Sequence, residues 1–248
     1  MKTSSKALIF FLALSAAIFT GCDKDDDTPD ENINNTSNQF NYDDAFGVFV
    51  AIKTVSTQTI GGMTIPVEFN TATAAFMPSA GATNMIDGGD VSLNDKNLKK
   101  VQNNAYIYDD VMNPLDFSTV SWTASGKGDV PAINKTVTRG FPAYSAADAL
   151  PESISKASGF SISLGNKISN ADSVIVVVGS NNKSAYKIVA GNAGIISFSS
   201  ADLTNVAIST TGLLSVSPYN ITSQSVDSKK YYFINETVYT RMNVNITE

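Results

Sequence analysis

The sequence predicts an all-β fold, an antiparallel β-sandwich that forms either one unit or two β-regions. From Phe40 onward, short runs rich in Val, Ile, Thr and Ser are separated by turn residues such as Gly, Asn and Asp. Several of these runs alternate apolar and polar residues with period two, as strands with one buried face do. The only helical signal is a single turn over residues 145–150, capped by Ser145 and ended by Pro151.

The first β-region, residues 40–128, begins with a strand at residues 46–55. Gly61-Gly62 then joins two further apolar runs, which is a two-residue hairpin signal. Around Trp122, apolar and polar residues alternate, so the only tryptophan is expected to point inward. The other predicted strands of this region are residues 57–60, 63–69, 91–93, 106–108 and 118–125.

The second β-region, residues 129–248, follows a break in the pattern at Gly126–Pro131, which could equally be a long loop within one sandwich. Its run Val174–Val178 does not alternate, as expected for a central strand covered on both faces. Asn235-Glu236 suggests a tight closing hairpin between two strands at residues 231–234 and 238–246. The remaining predicted strands are residues 136–141, 160–164, 173–178, 186–190, 195–198 and 213–217. By layout alone, this half resembles an immunoglobulin-like sandwich.

Composition excludes several classes of function. The chain has no histidine, which rules out Ser-His-Asp and Cys-His nucleophile systems and the usual imidazole zinc sites. The net charge is −6, so phosphate backbones would be repelled and nucleic acid is not an expected partner. With no catalytic motif present, we do not expect an enzyme, and no cofactor is expected.

The N-terminus has the order of a secretory signal peptide over residues 1–21. Lys2 and Lys6 precede an apolar run at residues 7–20, which as a helix would cross about two-thirds of the ~30 Å hydrocarbon layer. The run closes with Phe19-Thr20-Gly21-Cys22, which resembles the lipobox of bacterial lipoproteins, with Phe in place of the usual Leu. This resemblance implies that Cys22, the only cysteine, is lipidated and becomes the new N-terminus, anchoring the protein through acyl chains.

The segment after the anchor is acidic and Asn-rich. Residues 22–39 carry no apolar periodicity, so we expect them to form a flexible tether. The cluster Asp23–Asp27 resembles the surface-export tag of Bacteroidota lipoproteins, although a solvated charge run would have the same composition. These features predict a lipid-anchored outer-membrane protein that faces the cell exterior.

Two groups of residues are candidate sites. Asp87, Asp90 and Asp95, with Asn94, could offer oxygen ligands to calcium, but their spacing does not match an EF-hand and Asp-Gly is a common hairpin connector. The turn interpretation is therefore preferred, and no metal site is expected. Tyr239 and Arg241 fall on the predicted polar face of the last strand and are candidate ligand contacts.

Together these observations predict a non-catalytic cell-surface module that binds a glycan or a protein partner through loops on a rigid scaffold. One alternative is a fimbria-like structural subunit that assembles by strand addition. A second alternative is a glycan hydrolase that uses two carboxylates meeting in one cleft.

Overall fold

The computed structural model describes residues 42–60 and 63–248 and confirms the all-β prediction. Helical structure in this part of the chain is limited to short 3-10 turns at Tyr42–Asp44, Gln102–Asn104, Ala147–Ala149 and Gly165–Lys167. The strands are β1 (Ala45–Ile60), β2 (Met63–Phe76), β3 (Val91–Leu93), β4 (Lys96–Asn97), β5 (Lys99–Lys100), β6 (Tyr106–Tyr108), β7 (Ser121–Ala124), β8 (Ile133–Thr136), β9 (Ala143–Tyr144), β10 (Ser153–Ser155), β11 (Phe160–Ser163), β12 (Ile168–Ser169), β13 (Ser173–Ser180), β14 (Lys183–Ala190), β15 (Ile195–Phe198), β16 (Ser209–Val226) and β17 (Lys229–Thr247).

One large sheet of nine strands runs through the molecule. Its order is β14-β13-β16-β17-β1-β2-β6-β5, and β10 pairs with the far end of β17. Most neighbours are antiparallel, but β1 and β10 both run parallel to β17. Strands from the two predicted β-regions therefore share one sheet. In addition, β7 of the first predicted region pairs with β8 of the second.

The second layer consists of smaller sheets on the front face of the large one. The four-stranded sheet β4-β3-β7-β8 covers one end, and the pairs β11-β15 and β9-β12 lie towards the other end. Trp122 on β7 is fully buried, as the alternation predicted, and it packs edge-on against Phe49 of β1 with ring centroids 5.2 Å apart. Two apolar cores result, one under each part of the second layer.

A third apolar cluster lies on the back face of the large sheet. Its members include Ile52 of β1, Ile175 of β13, and Ile234 and Val238 of β17. Every residue of the run Val174–Val178 is buried, which confirms the prediction of a strand covered on both faces. The back face also contains Glu236, which is fully buried.

The segment between the two front cores is held by polar contacts and not by strand pairing. A strand was predicted over residues 136–141, but β8 ends at Thr136. The Arg139 guanidinium donates to Asp172 at 2.7 Å, and Asn235 on β17 donates to the Arg139 carbonyl at 2.7 Å. The bond from Asn235 supplies the Arg139 carbonyl with the partner that a strand neighbour would otherwise provide.

The closing hairpin lies eight residues before its predicted position. Asn235 and Glu236 do not form a turn: they sit buried inside the single long strand β17. The chain reverses instead at Asp227 and Ser228, whose φ angles of 50° and 62° suit the turn that joins β16 to β17. Within the residues described, no helix has the length and apolar character needed to cross a membrane.

Candidate functional site

A polar cleft of about 240 Å³ lies where the β5–β6 end of the large sheet meets β3 of the second layer. Its walls come from residues 87–91, from residues 97–106 and from Lys127. The lining residues are Asp87, Gly89, Asp90, Val91, Asn97, Leu98, Lys100, Tyr106 and Lys127. The cleft is therefore a product of the tertiary fold and not of one loop.

Asp87 is the centre of this cleft. Its Oδ2 atom accepts hydrogen bonds from the Lys100 ammonium at 2.9 Å and from the Lys127 ammonium at 2.8 Å. Its Oδ1 atom accepts from the Tyr106 hydroxyl at 2.8 Å and from the Gly89 backbone N–H at 3.0 Å. Four donors thus fix one carboxylate, of which 24% of the side-chain surface remains exposed.

The loop that carries Asp87 depends on two glycines. Gly88 lies against the Phe76 ring, where an added Cβ would come within 2.3 Å of a ring carbon. Gly89 has a φ of +84°, which residues with side chains rarely adopt. The Gly88 N–H also donates to the Tyr106 hydroxyl at 3.0 Å. Since that hydroxyl in turn donates to Asp87, two neighbouring residues of the loop are bonded to the same side chain of β6.

The electrostatics keep this cluster charged. The hydrogen bond from Lys100, which has the largest effect, and the one from Lys127 hold the pKa of Asp87 far below its usual range. The pKa of Tyr106 is raised to about 12 by burial and by its hydrogen bond to Asp87, so the phenol stays protonated. The hydrogen bond to Asp87 likewise raises the pKa of Lys127.

The three candidate calcium ligands do not converge. Asp87 and Asp90 both line the cleft, but Asp95 lies beyond the other end of β3, in the turn to β4. The oxygens of Asp87 are occupied by the two lysines, Tyr106 and Gly89. Within residues 42–60 and 63–248, no group of three His, Cys, Asp or Glu side chains is placed to hold a metal ion.

Tyr239 and Arg241 contact other parts of the chain. Tyr239 is half-buried and packs edge-on against Tyr144, with ring centroids 5.9 Å apart. Arg241 pairs with the Glu152 carboxylate. Both side chains thus help to hold residues 143–152 against β17. Cys22, the predicted signal peptide and the predicted tether all lie outside the described residues.

The sequence prediction missed the cationic half of the cleft. Lys100 and Lys127 are 13 and 40 residues from Asp87, and no local pattern links them. The one signal in the sequence was the pair Lys99-Lys100 at the end of a run of polar residues. Surface lysines without a function give the same pattern.

No protein-family model, curated protein or solved structure matches this chain.

Proposed function

We propose that the protein is a lipid-anchored, outward-facing module of the outer membrane that binds a ligand without catalysis. The observation that carries this proposal is the Asp87 cleft, because its charged groups are fixed before any ligand arrives. A preformed cleft with a few convergent polar groups is the usual form of a small-ligand site. The ligand class that best suits these groups is a glycan, which offers hydroxyls to both donors and acceptors.

The state of Asp87 supports a non-catalytic role for this cleft. A carboxylate-dependent hydrolase needs one carboxyl group that stays protonated as a general acid, so its pKa must be raised. Asp87 and Asp90 do share the cleft, which is the observation favouring the hydrolase alternative. However, the pKa of Asp87 is lowered by two ammonium groups, so Asp87 is suited to positioning and not to proton transfer.

The anchor and the outward orientation are supported by the sequence of residues 1–39. The test is a Cys22→Ala variant, which we expect to leave the membrane fraction, combined with protease treatment of intact cells carrying the unaltered protein. Failure of the protease to remove the protein from intact cells would contradict the outward orientation. Retention of the variant in the membrane would contradict the lipid anchor.

Ligand binding is tested by screening the purified protein on a glycan array. We expect binding that is reduced in a Lys127→Ala variant and unchanged in Lys183→Ala, a matched change at an exposed lysine on β14. Binding without hydrolysis of the glycan supports a non-catalytic role. Cleavage products would support the hydrolase alternative, and self-association into filaments would support the fimbria-like subunit.

A further inference from the structure

We propose that the Asp87 cleft selects a sugar residue that bears a carboxylate, of the uronate type, and binds it through Lys100 and Lys127. This inference rests on the proposed function and names its ligand class. It starts from the two ammonium groups, which are the only cationic groups lining the cleft within the part of the chain described.

The two ammonium groups are held close together. Both lie within 2.9 Å of the same Asp87 oxygen, so their nitrogens are at most about 5.7 Å apart. Each ammonium carries three N–H donors and uses one of them on Asp87. The remaining donors can reach the two oxygens of one ligand carboxylate, as a charge-assisted pair of hydrogen bonds.

Asp87 acts as a positioning residue for this pair. Its four hydrogen bonds leave it with little capacity to accept from a ligand, and the Tyr106 and Gly89 donors prevent its rotation. One carboxylate between two ammonium groups leaves the cluster of Asp87, Lys100 and Lys127 with a net charge of +1, which the carboxylate of Asp90 on the cleft wall balances. A preorganised cationic pair loses less side-chain entropy on binding than two free lysines would.

Asp90 and the size of the cleft favour a sugar over an acidic peptide. The exposed carboxylate of Asp90, on the cleft wall, would accept hydroxyl hydrogens but would repel a second negative charge beside the first. A uronate ring carries one carboxylate and several hydroxyls, which fits this pattern, whereas an acidic peptide presents successive carboxylates. The volume of about 240 Å³ lies below the range of drug-sized sites, so one sugar ring is the natural occupant.

The experiment compares a glucuronate-containing disaccharide with its methyl ester, in which an uncharged methoxy group replaces the charged oxygen, by titration calorimetry on the purified protein. We expect the ester to bind about tenfold to a hundredfold more weakly, since it loses a charge-assisted interaction. Lys100→Ala and Lys127→Ala should reduce the affinity for the acid to a similar degree. Affinity for the acid should also fall as salt is added, because these lysines are 46% and 64% exposed.

The controls separate this inference from the proposed function. Lys183→Ala should bind like the unaltered protein, and unchanged melting temperatures would show that the lysine variants fold. Equal binding of acid and ester, lost in Lys127→Ala, would refute the carboxylate inference while the binding module stands. Tighter binding of a glutamate-rich peptide than of the disaccharide would refute the sugar class, and failure of every glycan to bind would overturn both proposals.

Discussion

Glu236 makes the stability of this protein depend on pH in an unusual direction. The side chain is 0% exposed, and among the described residues neither oxygen has a hydrogen-bond partner of normal geometry. Its neighbours across the sheet are Ile52 on β1 and Tyr219 on β16. Burial raises the pKa of Glu236 from 4.5 to about 8, against a smaller lowering by the Ser217 hydroxyl. The folded protein therefore holds this carboxyl in its neutral form at pH 7.

The sign of the effect follows from proton binding. Between pH 4.5 and about 8, the unfolded chain has released the proton of Glu236 while the folded protein retains it. The free energy of unfolding therefore falls as the pH rises through this window. The full interval corresponds to at most about 5 kcal/mol, since each pH unit contributes about 1.4 kcal/mol.

Glu236→Gln tests this reasoning, because the amide keeps the shape of the side chain and cannot ionise. We expect the variant to match the unaltered protein near pH 4.5 and to become the more stable of the two as the pH rises. The difference should approach several kcal/mol at pH 8, measured by urea unfolding at a series of pH values. Glu68→Gln is the control, since that carboxylate is exposed in a surface pair with Lys53 and should change stability by less than about 1 kcal/mol. Parallel pH profiles for Glu236→Gln and the unaltered protein would refute the reasoning.

Three further variants test the packing of the fold. Phe49→Ala removes a ring that stacks and packs edge-on in the front core, so urea unfolding followed by Trp122 fluorescence should show a loss of about 3–5 kcal/mol. A loss below 1 kcal/mol would mean that this core is loosely packed. Replacing Asp227-Ser228 by Asn-Gly should stabilise the hairpin by about 0.5–2 kcal/mol, seen as a higher melting temperature, because both positions have positive φ. A lower melting temperature would contradict that turn. Arg139→Ala leaves its partly buried carboxylate partner without a cation, so we expect a loss of about 1.5–3 kcal/mol by urea unfolding, and an unchanged midpoint would contradict this role.

Local patterns were sufficient to predict much of the secondary structure. Alternation around Trp122 placed that side chain inward, and the continuous apolar run at Val174–Val178 was read as a strand covered on both faces. Both predictions are confirmed, because such patterns reflect burial of one face or of two faces.

Long-range contacts explain what could not be predicted. Asn235-Glu236 has the composition of a turn, yet tertiary contacts hold it inside β17, where Asn235 bonds to the Arg139 carbonyl across the front face. The parallel pairing of β1 with β17 joins residues almost two hundred positions apart, and no local signal reports it. The prediction of the candidate site was incomplete for the same reason. The sequence indicated that Asp87 belongs to a turn, but the lysines that bond to it come from other segments.

The pairing of β1 with β17 has a consequence for biogenesis. Strand β1 needs β17 as a parallel neighbour, so the large sheet cannot close until residues 229–247 have been synthesised. Pairings this distant in sequence also slow folding. Until β17 is present, β1 leaves the edge that faces β17 unpaired, and an unpaired strand edge is open to aggregation.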